Sequence, residues 1–144
     1  LNHPEMSSFK SFLKLYSDNP KIHILGFIND EDLRAVMNIA DILLLPSFAE
    51  GFGLPILEAQ VCGVPVITSN TSSMPEVAGK GALMVDPYSV ESISQAVNKI
   101  NKNQEIRQSL IKDGFENVKK FSWEKTAKET VMVYQKSIEH SKNE

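Results

Sequence analysis

The chain has 144 residues, 42% of them hydrophobic, with a net charge of −3 and a pI near 5.6, enough for one domain with its own core and little more. An acidic balance excludes the basic stripe that a nucleic-acid footprint needs. The late lysines, from Lys99 to Lys128, are interleaved with Glu105, Asp113, Glu116 and Glu124, the pattern of solvated helix faces rather than of a polybasic membrane anchor. Cys62 is the single cysteine and forms no internal disulfide, and no apolar run approaches the roughly 18 residues of a spanning helix. A reducing, cytoplasmic setting is the expectation. The start, Leu1-Asn2-His3-Pro4-Glu5, has no initiator methionine, basic n-region or apolar h-region, and reads as a truncated or excised chain rather than a signal peptide.

In chain order, Phe9, Phe12, Leu13 and Tyr16 fall at i, i+3, i+4 and i+7, the stripe of an amphipathic helix that Asp18-Asn19-Pro20 ends. Ile22-His23-Ile24-Leu25-Gly26-Phe27 predicts a short strand. Asn29-Asp30-Glu31-Asp32 then offers an N-cap with acids in the first turn of a helix running to about Ala40. The apolar run Ile42-Leu43-Leu44-Leu45 predicts a parallel strand buried on both faces. A helix from Pro55 to Cys62 follows, with Gly63 suited to a left-handed C-terminal position. Val64 to Thr68 predicts a strand, Met74 to Ala78 a helical turn, and Ala82 to Val85 another strand. Beyond Asp86-Pro87 the chain reads as helical, with breaks near Asn101 to Asn103 and at Phe121-Ser122, and residues 104–144 form the C-terminal helices. Ser122 caps the last of these, with Trp123 as a packing anchor. Strands alternating with helices define an α/β fold with a Rossmann-like parallel sheet flanked by helices, in a single domain over residues 1–144.

The segment from Pro46 to Ala59, carrying Glu50-Gly51-Phe52-Gly53-Leu54-Pro55 and Glu58, joins the end of a buried strand to a helix N-terminus. Open α/β sheets place their ligands there. The glycines allow close backbone approach, and the free N–H groups and macrodipole of a helix start suit a phosphate. Read from the residues alone, Glu58 is either an acid favoured by the helix dipole or a ligand for vicinal hydroxyls. Glu50 is either a solvated loop acid or the same kind of ligand. Cys62 reads as core packing. His3, His23 and His140 have no metal-ligand spacing.

Glu50 and Glu58, separated by seven residues that include Gly51-Phe52-Gly53-Leu54-Pro55, resemble the paired-glutamate motif of the retaining GT-B glycosyltransferases of family four. The match extends in the family's order through Phe27-Ile28 after Gly26, Gly63-Val64-Pro65-Val66-Ile67, Pro75-Glu76-Val77-Ala78-Gly79, Leu83-Met84-Val85-Asp86-Pro87 and Phe121-Ser122-Trp123. The resemblance implies that Glu50, at the catalytic position, binds donor-sugar hydroxyls near the reacting carbon. Backbone amides of Gly51, Phe52, Gly53 and Leu54 would hold the sugar and the distal phosphate, and Glu58 the ribose. Phe27 and Ile28 would line the base, and Glu76 matches a recurring position near the donor.

By the same resemblance the chain is part of the C-terminal, donor-binding domain of a hexosyltransferase. Such enzymes move a sugar from a nucleotide diphosphate to an acceptor hydroxyl with retention and need no bound metal or cofactor. The implied setting is polysaccharide or glycolipid synthesis, with a glycan or lipid-linked acceptor held by an N-terminal domain and room for peripheral membrane contact. The family's diphosphate-binding Arg and Lys, and its first two strands, precede the matched region. The Ile22 strand is therefore left without its usual neighbour, and the chain alone is expected to be inactive. Two alternatives compete: another GT-B member, such as a sugar-nucleotide epimerase or a glycogen or starch synthase, and a noncatalytic nucleotide-binding module of the same fold.

Overall fold

The computed structural model describes residues 4–16 and 18–141; Leu1, Asn2, His3 and the Phe9 side chain lie outside what it describes. The chain divides into two units, Leu1–Asp32 and Leu33–Glu144. In the first, α1 (Pro4–Tyr16) ends where the Asn19 N–H turns back to the Tyr16 carbonyl at 3.0 Å. The Phe12 and Tyr16 rings lie 4.8 Å apart, the i, i+4 pairing the stripe predicts. The expected strand over Ile22–Phe27 does not form. Its β-branched residues favour extended backbone, but a strand is held by its ladder, and no strand among the described residues pairs with it. Ile24, Leu25 and Phe27 are left exposed.

Helix α2 (Asp30–Ile39) starts where its cap signal places it. Asn29 Oδ1 accepts from the Asp32 N–H at 2.9 Å, and Asn29 Nδ2 donates back to Asp32 Oδ2 at 2.9 Å. The side chain thereby satisfies an N–H that the helix start leaves without a partner.

In the second unit the strands β1 (Leu43–Leu45), β2 (Val66–Ser69) and β3 (Ala82–Val85) form a parallel sheet of order β1-β2-β3. The register pairs Leu43 with Val66 and Leu45 with Thr68, and Val66 with Ala82 through Ser69 with Val85. Alternate residues feed two cores. On one face Val66, with Leu43 and Leu45, packs against Met37, Ile56, Ala59, Met74, Val77 and Ala78, drawn from α2, α3 (Leu54–Val61) and α4 (Met74–Ala78). On the other, Ile67 and Val85 meet Ala96 and Ile100 of α5 (Val90–Lys102) and Leu110 of α6 (Gln104–Val118). Burial of β2 on both faces is what a parallel strand between two helical layers requires.

β1 departs from its expected double burial. Leu43 and Leu45 are half-buried, but Leu44 is 45% exposed. Among the described residues β1 is an edge strand paired only with β2, and the exposed Leu44 marks a face of it that the helical layers leave incompletely covered. The helical tail matches expectation in its breaks: Asn103 Oδ1 caps α6 at the Ile106 N–H at 3.0 Å, and Ser122 Oγ caps α7 (Trp123–Ser141) at the Lys125 N–H at 3.1 Å. Trp123, expected as a packing anchor, is instead 79% exposed within this chain. It opens a helix in which none of the residues 123–140 is buried. No helix among the described residues is long and apolar enough to cross a membrane.

Candidate functional site

The carboxyl end of β1 runs through Pro46 into the loop carrying Glu50, and that loop is shaped by hydroxyls from the segment after β2. Thr68 Oγ1 donates to the Leu45 carbonyl at 3.0 Å, Ser69 Oγ to the Ser47 carbonyl at 2.5 Å and Thr71 Oγ1 to the Phe48 carbonyl at 3.2 Å. Ser72 Oγ and Ser73 Oγ both donate to the Glu50 carbonyl at 2.9 Å, and Ser73 Oγ also reaches the Phe52 carbonyl at 3.0 Å. Ser72 takes up a left-handed conformation with φ of 58° to do so. The run Thr68-Ser69-Asn70-Thr71-Ser72-Ser73 is the part of the site that sequence reasoning missed. Its signal was a hydroxyl-rich stretch directly after a buried strand.

With its carbonyls turned to these hydroxyls, the loop leaves three consecutive N–H groups uncommitted beyond Glu50, whose own N–H reaches Ser72 Oγ. Among the described residues, those of Gly51, Phe52 and Gly53 donate to no acceptor. Gly53 closes the loop at φ of 95°, where an added Cβ would stand 3.1 Å from Ile56 Cδ1. That position demands glycine. Helix α3 follows from Leu54, one residue ahead of the Pro55 start read from sequence, and no side chain caps it. Pro55 has no N–H and the Ile56 N–H donates to the Gly53 carbonyl at 3.0 Å, so the Leu54 N–H is the one that joins those of Gly51, Phe52 and Gly53 at the positive end of the helix dipole. The arrangement can serve as an anion cradle at the carboxyl edge of a parallel sheet.

Two acids flank the cradle. Glu50 is half-buried, and its Oε1 accepts a hydrogen bond from Ser47 Oγ at 2.8 Å. Glu58 is exposed one turn into α3, on the same face as Leu54, Leu57 and Val61. That face forms one wall of a groove of about 440 Å³ whose other wall is Val118, Phe121, Ser122 and Trp123, and Phe52 also lines it. Phe52 meets Phe121 edge to face, with ring centroids 5.9 Å apart. None of the ion pairs described involves Glu50 or Glu58. Lys119, a cation on the groove wall, donates instead to Glu116 Oε1 at 2.6 Å. That hydrogen bond and the Lys119 charge hold the Glu116 carboxyl below its usual value.

The structure therefore keeps Glu50, Gly51, Phe52, Gly53 and Leu54 together in one clamped loop and sets Glu58 at the groove beside it. Phe27 and Ile28 belong to the other unit, where Phe27 is 99% exposed and Ile28 half-buried. Glu76 is exposed in the first turn of α4. Cys62 packs against the α3 side of the core. Among the described residues no three His, Cys, Asp or Glu side chains are grouped as a metal would need.

Residues 2–117 match the family of glycosyl transferases group 1. The chain is 42% identical over 113 residues to the O-antigen chain mannosyltransferase B of Escherichia coli, a match covering 78% of this chain and 30% of that protein. Among solved structures it resembles sucrose-phosphate synthase from Thermosynechococcus elongatus, with a TM-score of 0.80 and 26% identity over 94% of this chain and 35% of that one. It also resembles the C-terminal domain of a glycosyl transferase group 1 family protein from Francisella tularensis, with a TM-score of 0.67 and 25% identity over 82% of this chain and 64% of that one.

Proposed function

Because the chain belongs to the glycosyl transferases group 1 family, we propose that it is the donor-binding part of a retaining hexosyltransferase that takes its sugar from a nucleoside diphosphate. The observation that carries this is the clamped loop, with the uncommitted N–H groups of Gly51, Phe52 and Gly53 just ahead of a helix start and a hydrogen-bonded carboxylate beside them. Glu50 accepts hydrogen bonds from hydroxyls of the donor sugar. The N–H groups of Gly51, Phe52, Gly53 and Leu54 hold the sugar and the distal phosphate, and Glu58 takes the ribose hydroxyls. Roles for Phe27 and Ile28 at the base stay with the family resemblance alone.

As the bond from the anomeric carbon to the diphosphate breaks, negative charge grows on the leaving phosphate. Preorganised N–H donors then stabilise the transition state more than the ground state. The chain spans 30% of the length of the O-antigen mannosyltransferase it matches, so sugar and acceptor are properties of a longer assembly. A mannosyl donor is the first to test, since that relative is a mannosyltransferase, and a glycan or lipid-linked acceptor accords with O-antigen synthesis.

The test is calorimetric binding of GDP, UDP, GDP-mannose and UDP-glucose to the full-length protein and to two variants. Glu58→Ala weakens every nucleotide, by roughly 1.5–3 kcal/mol for the loss of hydrogen bonds to a charged group. Glu50→Ala weakens only the sugar-bearing ligands. Unchanged binding in both variants would overturn the assignment.

A further inference from the structure

We infer that Ser47 is a positioning residue for Glu50, selecting which carboxylate oxygen meets the donor sugar; this rests on the assignment of Glu50 to that sugar. Ser47 Oγ donates to Glu50 Oε1 at 2.8 Å, while Oε2 accepts no hydrogen bond from the described residues. One oxygen is anchored and the other is presented.

The anchor is itself fixed to the sheet. Ser47 lies two residues beyond Leu45, whose register partner is Thr68, and its carbonyl accepts from Ser69 Oγ. Glu50 is held independently through its main chain, its N–H reaching Ser72 Oγ at 3.4 Å and its carbonyl taking the Ser72 and Ser73 hydroxyls at 2.9 Å. The main-chain bonds place the Cα, but they leave the side-chain torsions of a glutamate free, and ordering such a chain costs conformational entropy. Ser47 removes that freedom before the donor arrives.

The chemistry of the anchor matters as much as its position. A lysine or arginine in its place would neutralise the carboxylate and could bridge both oxygens. A hydroxyl donates a single hydrogen bond and leaves the negative charge in place. Ser47 thus sets the direction of the acceptor that discriminates sugar hydroxyls, while the phosphate cradle is formed by main-chain groups that do not depend on it.

The experiment compares Ser47→Ala, Ser47→Thr and Glu50→Ala in the full-length protein, measuring affinity for GDP, UDP, GDP-mannose and UDP-glucose, with kcat and KM where transfer is observed. Ser47→Ala keeps diphosphate affinity within about twofold, loses about fivefold for the nucleotide sugar that wild type prefers and lowers kcat, while Ser47→Thr, which retains the hydroxyl, stays within about twofold of wild type throughout. A loop that merely folds less well would instead weaken diphosphate and nucleotide sugar together, unrescued by threonine, and that result overturns the positioning role. So does a Ser47→Ala protein that binds nucleotide sugars like wild type while Glu50→Ala loses them selectively, an outcome that leaves the donor site standing. If Glu50→Ala shows no sugar-selective loss, the donor-site assignment fails and the proposal falls with it.

Discussion

Asn117 on α6 donates from Nδ2 to Gln60 Oε1 on α3 at 2.9 Å, and both amides are buried. The same Nδ2 group donates to the Val77 carbonyl at 2.8 Å, and Gln60 Nε2 donates to the Ala78 carbonyl at 2.9 Å. Three helices are tied by one pair of side chains, and among the described residues no buried side-chain nitrogen or oxygen lacks a partner. A satisfied buried network fixes one packing of α3, α4 and α6, because sliding any of them strands a polar group in the core.

Asn117→Ala leaves Gln60 Oε1 and the Val77 carbonyl without a donor and is expected to cost about 3 kcal/mol of stability. Asn117→Asp should cost more, since a carboxylate has nothing to donate to those acceptors and buries a charge. The pair Gln60→Leu with Asn117→Leu should cost less than the sum of its single changes, because each removes a group the other needed. Urea denaturation with a constant m-value measures all five variants, the two single leucine changes included. An Asn117→Asp chain as stable as wild type would show that the network carries no weight.

Gly81 makes this packing close enough to form. A Cβ there would stand 2.5 Å from Gln60 Nε2 and 2.6 Å from the Gly114 Cα. The side chain could move aside; the α6 backbone could not. Gly81→Ala is therefore expected to destabilise by about 2–3 kcal/mol, the upper range for forcing an extra methyl into a packed core. The matching control is Gly51→Ala, whose Cβ meets nothing within 4 Å and whose melting temperature should be unchanged. Equal melting temperatures for the two variants would refute the close approach of β3 and α6.

Ser72 holds a left-handed backbone at φ of 58° while its hydroxyl donates to the Glu50 carbonyl at 2.9 Å. The two features pull in opposite directions, since the conformation costs about 1–2 kcal/mol for a residue with a Cβ and the hydrogen bond returns about 1 kcal/mol. Ser72→Gly should be close to neutral in stability, trading the bond for relief of the strain. Ser72→Ala keeps the strain and loses the bond, and should be the less stable of the two by about 1 kcal/mol. The order of their thermal midpoints decides the point, and the reverse order would show that Ser72 is not strained.

How much of this was legible in the sequence depends on whether a feature is written in neighbouring residues. β3 falls on Ala82–Val85 as expected, and the α3 break at Gly63, the Asn29 cap and the Ser122 cap all stand where local signals put them. Each is decided within one turn or one strand. The position of the Glu50 loop, between the end of β1 and the start of α3, was legible for the same reason. The hydroxyl clamp from Thr68 to Ser73 was not, because a serine reaching the main chain of a loop about 22 residues away leaves no periodic trace. Gln60 and Asn117, 57 residues apart, are invisible on the same ground. Leu44 and the Ile22–Phe27 segment failed differently. Apolar and β-branched runs state that burial or extension is favourable, but which face is covered and which strand lies alongside are set by the rest of the fold.

Gly51 and Gly53 separate a local conformational demand from a demand of the ligand. Gly53 sits at φ of 95° with Ile56 Cδ1 3.1 Å from where a Cβ would be, whereas Gly51 has open space around it and no left-handed angle. Gly53→Ala is therefore expected to lose both stability, by about 1–2 kcal/mol, and donor affinity, since the start of α3 shifts with it. Gly51→Ala should fold as well as wild type yet bind nucleotide sugar more weakly, because a methyl group on the open side of the cradle keeps a phosphate or sugar from its N–H. Melting curves alongside calorimetric titration of GDP-mannose and UDP-glucose read the two effects independently. If Gly51→Ala binds as tightly as wild type, the ligand does not approach that stretch of backbone, and the Gly51 N–H has no part in holding it.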